Sequence, residues 1–396
     1  MTSPDPIEPK TGEGPLAGVR ILDLTSVFMG PLATVCMADL GAEVIKIESP
    51  HGDMIRPVGP GGEDGLGAIF QHLNRNKQSV VLDLKSEAGL NALLQLARDA
   101  DVLVYNIRPA AMTRLGLGWE RLHALNPRLI FAGVFGYSQR GAYAAEPAFD
   151  DLIQAASGLA HAVGVATGGP PAYAPVTVAD RAVGFYAFGA IAAALYARSR
   201  TGKGQRVDVP MFETMTSLVM GDHLYGHTYD PPRGDYGYPR LTARTRRPYR
   251  TLDGHVCCTV YTDAQWKAFL SLAGRAGLFE TDPRLKDLGM RTRHIEALYG
   301  LVEEILQTRT TDAWREALKP HGVPIFPVHD FDSLLADPHL TGIGFFQPAV
   351  DAAGRDIRMM ACPSEWSEGL PGPHRPAPRQ GEHTHAVLGA LSDAPA

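Results

Sequence analysis

Residues 18–48 read GVRILDLTSVFMGPLATVCMADLGAEVIKIE, and this stretch decides the fold. VRILDL is an apolar run of strand length, GPLATVCMADLG has helical spacing and stops at Gly41, and AEVIKIE is a second strand. The same alternation continues downstream. SVVLDL (79–84), DVLVYNI (101–107) and RLIFAGVFG (128–136) are further strands. Between them SEAGLNALLQLARDA (86–100) is a helix capped by Ser86, with Leu90, Leu93, Leu94 and Ala97 on one face. Strands this apolar, separated by helices, predict an α/β fold whose parallel sheet is covered on both faces. Ligands bind such sheets beyond the carboxyl ends of the strands. That rule singles out Ser26, Val27 and Phe28, then Lys85, then Asn106 and Ile107.

Further along, AVGFYAFGAIAAALYA (182–197) is a small-residue helix, and MFETMTSLVMGDHLYG (211–226) is also helical. Residues 226–250 lack periodicity and are rich in Pro, Gly, Tyr and Arg, as expected of a linker or functional loop. A smaller α/β unit follows. HVCCTVYT is its strand, and Ile295, Leu298, Leu301, Val302, Ile305 and Leu306 form the stripe of a helix. The ends of the chain, residues 1–14 and the PA-rich terminus, read as disordered.

Composition narrows the function. The chain has 396 residues, 45% hydrophobic and 20% charged, with a net charge of −6, which argues against nucleic acid or an anionic membrane as a general partner. Length suggests two or three domains. The four cysteines form no paired CxxC units, so neither a metal site nor a disulfide scaffold is expected. The N-terminus lacks a signal-peptide pattern, and the 182–197 run falls short of a membrane span of about 20 residues. A cytoplasmic protein is expected.

Three candidate chemistries arise from the residues. Glu48 ends the second strand as an NAD ribose ligand would, but the preceding turn, TSVFMGP, lacks GxGxxG, which leaves Glu48 as a surface or interstrand partner. Arg75, Lys77, Lys85, Arg108 and Arg114 cluster at strand and helix ends. They suit a ligand with several phosphates, or each is simply solvated. Asp180, in PVTVADRAVG, precedes the small-residue helix. It is either an N-cap or, kept ionised by the helix terminus, a nucleophile.

Several long blocks stand in order along the chain: PLAGVRILDLTSVFMGPLATVCMADLGAEVIKIESPHGDMIR, LNRNKQSVVLDLKSEAG, ADVLVYNIRPAAMTRLGLGWERLHALNPRLIFAGVFGY and RTGKGQRVDVPMFE, followed by HGVPIFPV, LADPHL and GEHTHAVL. Together they resemble the class III CoA-transferases of the CaiB/BaiF type, which include formyl-CoA transferase, carnitine-CoA transferase and α-methylacyl-CoA racemase. The resemblance implies a large Rossmann-like domain (15–225 with 334–396), an active-site loop (226–250) and a small domain (251–333). It also implies an interlocked homodimer. Asp180 matches the family's nucleophile. The implied reaction passes through an aspartyl anhydride and an aspartyl-CoA thioester, with CoA and acyl-CoA as substrates and no permanent cofactor or metal.

By the same resemblance, CoA contacts fall on Ser26, Val27, Phe28, Leu82, Lys85, Asn106, Ile107, Arg114 and Leu115, and Arg75 joins them from its position among the basic residues. The chain also departs from the pattern. Ser49 stands where some members carry a basic residue, and Phe28 where some carry glutamine. RLTARTRRPYR takes the place of the formyl-CoA enzyme's glycine-rich loop. The racemase's histidine position is Phe149, and His161 reads as a core or loop histidine, so transfer is favoured over racemisation. A non-catalytic CoA-binding homologue is the remaining alternative. Asp150 is a candidate for orienting the acceptor acid. Arg244, Arg246 and Arg247, beside Arg240 and Arg250, suit the second carboxylate of a dicarboxylate acceptor.

Overall fold

The computed structural model describes residues 14–370 and 372–392. The expected disordered segments therefore lie, apart from Gly14, outside the described residues. The chain divides into two compact units. The first holds the described residues up to 157 together with 175–216 and everything described from 338 on; the second holds 158–174 and 217–337.

Unit 1 is built on six parallel strands: β1 (Arg20–Leu24), β2 (Glu43–Glu48), β3 (Gln78–Val81), β4 (Val102–Tyr105), β5 (Ile130–Phe135) and β6 (Gln205–Pro210). Their spatial order is β3-β2-β1-β4-β5-β6. This is the doubly wound Rossmann order, in which the chain reverses direction across the sheet between β1 and β4. The helices of the first unit begin, in chain order, with α1 (Met29–Asp39), α2 (Ala68–Asn74), α3 (Glu87–Arg98), α4 (Pro109–Arg114), α5 (Trp119–Leu125) and α6 (Asp150–Ala156). α7 (Leu159–Thr167) belongs to the second unit, and α8 (Val178–Thr201) returns to the first.

Alternation along each strand gives the sheet two unlike faces. Leu22, Leu24, Ile45, Ile47, Val80, Leu103, Tyr105 and Phe131 join Leu93, Leu96 and Ala97 of α3 and Leu122 of α5 in one apolar core. The opposite face carries Asp23, Lys46, Glu48 and Ser79, all buried. The open edge of β3 is closed by the returning C-terminal segment. Thr384 Oγ1 accepts from Val81 N–H at 3.0 Å, and His383 N–H donates to the Ser79 carbonyl at 2.9 Å.

α8 extends the apolar run into a 24-residue helix, and by length and composition alone it could cross a membrane. The uncharged run 182–197 is shorter than the helix because the turns that carry Asp180, Arg181, Arg198 and Arg200 continue it at both ends. Ala179, Val183, Gly184, Ala187 and Ile191 of α8 are buried. At Gly184 an added Cβ would lie 2.7 Å from the Met29 carbonyl, so glycine is what lets α8 approach α1 this closely.

Unit 2 has a three-stranded antiparallel sheet, β7 (Tyr249–Arg250), β8 (His255–Cys258) and β9 (Ile325–Pro327), in that order. Its core combines Val256, Trp266, Phe269, Leu298, Val302, Ile305 and Trp314. Along β8, Cys258 is buried and Cys257 is exposed, as the period of two requires.

Candidate active site

The loop from β1 to α1 lies at the switch point, and side chains from other elements hold it. Asn106, just after β4, accepts from Ser26 N–H at 3.1 Å and donates to the Ser26 carbonyl at 2.8 Å. Lys46 of β2 donates to the Thr25 carbonyl at 2.8 Å. Asp53 accepts from Val27 N–H at 3.1 Å and pairs with Lys46 Nζ at 2.8 Å. Val27 has φ +71°, a left-handed conformation that a β-branched residue adopts only when its surroundings enforce it. The Asp53 bond to its N–H, set against the clamp on Ser26, provides that enforcement. Gly30 is required as well, since a Cβ there would sit 2.4 Å from the Thr25 side chain.

Beside this loop lies a cleft of about 270 Å³, lined by Thr25, Ser26, Ser49, Asp53, Leu82, Lys85, Ile107 and Leu115 among others. Five of the residues singled out from sequence, Ser26, Leu82, Lys85, Ile107 and Leu115, thus share one wall system. Asn106 contributes through Ser26 instead of lining the cleft. Val27 and Phe28 do not line it among the described residues, and Phe28 packs against the cluster of Leu32, Val35 and Leu73. Arg114 is exposed at the end of α4, next to Leu115.

Arg75 differs from the expectation. It is buried, its guanidinium ion-pairs with Asp39, and it donates to the His72 carbonyl at 2.8 Å. Lys77 is likewise buried and paired, with Asp23 at 2.9 Å. These cations are neither phosphate ligands nor solvated; Lys77 braces the sheet's polar face through Asp23, and Arg75 ties the end of α2 to α1 through Asp39. Burial opposes ionisation of Asp23, but Lys77, Lys46 and two threonine hydroxyls more than offset it and hold its carboxyl down at about 2. Glu48 is buried too, against Arg56 of the loop after β2, at 2.6–2.7 Å, and Ser79 of the neighbouring strand.

Asp180 is the third residue of α8, not its cap. Thr177 precedes the helix and makes no side-chain capping bond. Asp150 takes that role, its Oδ1 accepting from Asp180 N–H at 3.0 Å. Asp150 Oδ2 accepts from Gln154 Nε2 at 2.6 Å, so the carboxylate is buried and engaged on both oxygens. It orients Asp180's turn, with one bond already taken on each oxygen. Partial burial, and then the Asp150 charge, push the Asp180 carboxyl up to about 7, only partly opposed by Arg181. The expectation that the helix terminus keeps Asp180 fully ionised is therefore corrected. Desolvation outweighs the ~0.3–1 kcal/mol that a helix dipole supplies.

The loop arginines lie within unit 2, in two places. Arg244 borders a hollow with His161, Gly168 and Glu296. Arg246 and Arg247 border a different cavity with Arg240, and Arg247 meets both oxygens of Glu303 at 3.1 Å. Sequence reasoning missed Lys46 and Asp53. The signal was a lysine inside an otherwise apolar strand, which only a buried partner makes tolerable. Among the described residues no cluster of three or more His, Cys, Asp or Glu side chains is arranged to hold a metal.

A doubly wound sheet with a cleft at its switch point, and a carboxyl group of near-neutral pKa on a neighbouring helix, is an α/β ligand-binding architecture with a candidate reactive group beside it. The chain belongs to CoA-transferase family III, whose model matches residues 16–384. It is 34% identical to an acyl-CoA transferase of Fusarium pseudograminearum, covering 96% of this chain and 85% of the relative. It is 37% identical to an acetyl-CoA:oxalate CoA-transferase of Acetobacter aceti, over 83% of this chain and 84% of the relative. The crystal structure of a CaiB/BaiF family protein from Brucella suis matches with a TM-score of 0.78 and 29% identity, over 96% of this chain and 99% of that one.

Proposed function

We propose that the protein transfers CoA from an acyl-CoA donor to a free carboxylic acid, with Asp180 as the covalent nucleophile. The observation that carries this reading is the desolvated Asp180 carboxyl, raised to about 7 beside Asp150. A carboxylate held near neutrality is more basic than one in water, and so a stronger nucleophile.

In this reading an Asp180 oxygen attacks the donor's thioester carbon. The C–S bond breaks, CoA thiolate leaves, and a mixed anhydride remains. The thiolate then attacks the Asp180 carbonyl, releasing the donor acid and leaving an aspartyl-CoA thioester. The acceptor carboxylate displaces the thiolate to form a second anhydride. Thiolate attack on the acceptor's acyl carbon completes the exchange and restores Asp180. One thioester replaces another, so the sequence needs no energy source.

CoA lies along the cleft of Ser26, Leu82, Lys85, Ile107 and Leu115, with Val27, Phe28, Asn106 and Arg114 at its margins. The acceptor is a dicarboxylate, as oxalate is for the Acetobacter aceti relative by its name. The protein acts in the cytoplasm as an interlocked homodimer. The exposed Phe185, Tyr186 and Tyr196 of α8 support an interface there.

Mixing the protein with acyl-CoA donors and a panel of free acids should yield new thioesters by mass spectrometry. Borohydride or hydroxylamine should modify the Asp180 peptide only when donor is present. Asp180→Ala should abolish transfer, by at least ~10⁴-fold for a lost covalent nucleophile, while CoA still binds. Undiminished turnover by this variant would overturn the mechanism. Equal kcat/KM for mono- and dicarboxylates would overturn the acceptor class.

A further inference from the structure

Unit 2 contains a cavity of about 260 Å³, just below the ~300 Å³ at which small-molecule pockets begin. Its walls are aromatic: Tyr238, Tyr249, Tyr261, Trp266 and Tyr299 line it, and Trp266 and Tyr249 are buried in the unit's core. Four arginines line it as well, and among the described residues no acidic one does.

The four guanidinium groups are not equivalent. Arg291 is buried and fixed, donating to the Tyr261 carbonyl at 3.2 Å and the Leu285 carbonyl at 2.8 Å, with Asp263 as its ion pair. Arg247 pairs with Glu303. Arg240 donates to a neutral acceptor, the Tyr299 hydroxyl, at 3.0 Å, and among the described residues it meets no carboxylate. Arg246 is exposed and has no side-chain partner among them. Two of the four positive charges are thus locally neutralised. Two are left over, at the border of a cavity whose other walls are mainly rings and aliphatic groups, with Thr259, Thr292, Cys257 and Cys258 among them.

Such a lining matches a ligand with an anionic head and a flat apolar body. A guanidinium fork takes a carboxylate through paired hydrogen bonds, and the rings take the body by stacking and burial. We propose that this cavity is a binding site for an organic carboxylate with an aromatic or comparably flat apolar body. The site is formed by residues 238–299 and includes none of the residues assigned to CoA or to covalent chemistry; Arg246 and Arg247, which in sequence suit an acceptor dicarboxylate, line it instead. It goes beyond the transfer reaction and stands whether or not that reading holds.

Cys257 provides a local reporter, because it is exposed and lines the same cavity. Alkylation of Cys257 in the full-length protein by iodoacetamide is followed by peptide mass spectrometry, with benzoate, acetate or benzyl alcohol present. Benzoate should slow Cys257 labelling saturably, while acetate (head without body) and benzyl alcohol (body without head) should not. Arg246→Gln, which removes an exposed and unpaired side chain, should weaken benzoate protection about tenfold, with Arg240→Gln as a second variant. Labelling indifferent to benzoate would overturn the proposal. So would equal protection by acetate, or protection unchanged in both variants. None of these readouts uses turnover, so their failure is separate from failure of the CoA-transferase reading.

Discussion

Around β1–β3 every interior cation meets a carboxylate: Lys77 meets Asp23, Lys46 meets Asp53, Arg56 meets Glu48, and Arg75 meets Asp39. In the second unit Arg240 and Arg246 border a cavity, and among the described residues neither meets a carboxylate. Both sets are basic residues near strands and loops, and in sequence they look alike. The difference shows how to separate structural from ligand-directed charge. A cation taken out of water must find its partner within the fold, because burying it alone is prohibitive. One left at a rim can wait for a partner from outside.

The largest expected effect follows from removing one member of a buried pair. Lys77→Met should destabilise unit 1 by ~3–5 kcal/mol in urea unfolding, because it strands the fully buried Asp23. Arg246→Gln should change stability by no more than ~0.5 kcal/mol, as expected for a surface residue. Similar costs for the two would break the comparison.

A second test asks whether the buried network also serves the ligand. Asp53→Ala removes both the Lys46 pair and the bond that holds Val27 N–H, so the loop can relax from φ +71°. CoA affinity should fall about tenfold, or ~1.4 kcal/mol, by titration calorimetry. Asp53→Asn, which keeps an acceptor at Oδ1, should lose less. A variant that is less stable but binds CoA normally would mean the network only supports the sheet.

The contrast also explains what could be read from the sequence. The five strands that precede Asp180 were legible because each is a compact apolar run with turn signals beside it. The cleft was legible because strand ends are where loops can approach a ligand, and Ser26, Lys85 and Ile107 stand there. The partners of charged residues were not. Arg75 looks like a phosphate ligand because its partner, Asp39, lies 36 residues earlier on another element. Asp180 looks like a cap because nothing local shows that Asp150, 30 residues away, already supplies the capping bond. Residue type is written in the sequence, but neutralisation is a property of the packed chain.

The Asp150–Asp180 pair is the exception to neutralisation within unit 1, and it provides the finest test. Here a partly buried carboxyl faces another acid, and its pKa rises from 3.8 to about 7. The folded state therefore binds a proton more tightly than the unfolded chain does. This contribution to stability is complete below pH 3.8 and is lost as pH rises through about 7. Activity should run the other way, since the ionised form attacks: kcat/KM should rise with pH through about 7 and then level off. Asp150→Asn keeps an oxygen for the Asp180 N–H but removes the like charge. Burial is the larger cause of the rise and exceeds the opposing effect of Arg181, so the acid limb of the profile should move down but stay above 3.8. An unmoved limb would show that burial alone sets the titration. A limb that falls all the way to the ordinary aspartate value would show that the Asp150 charge, and not desolvation, holds the nucleophile near neutrality.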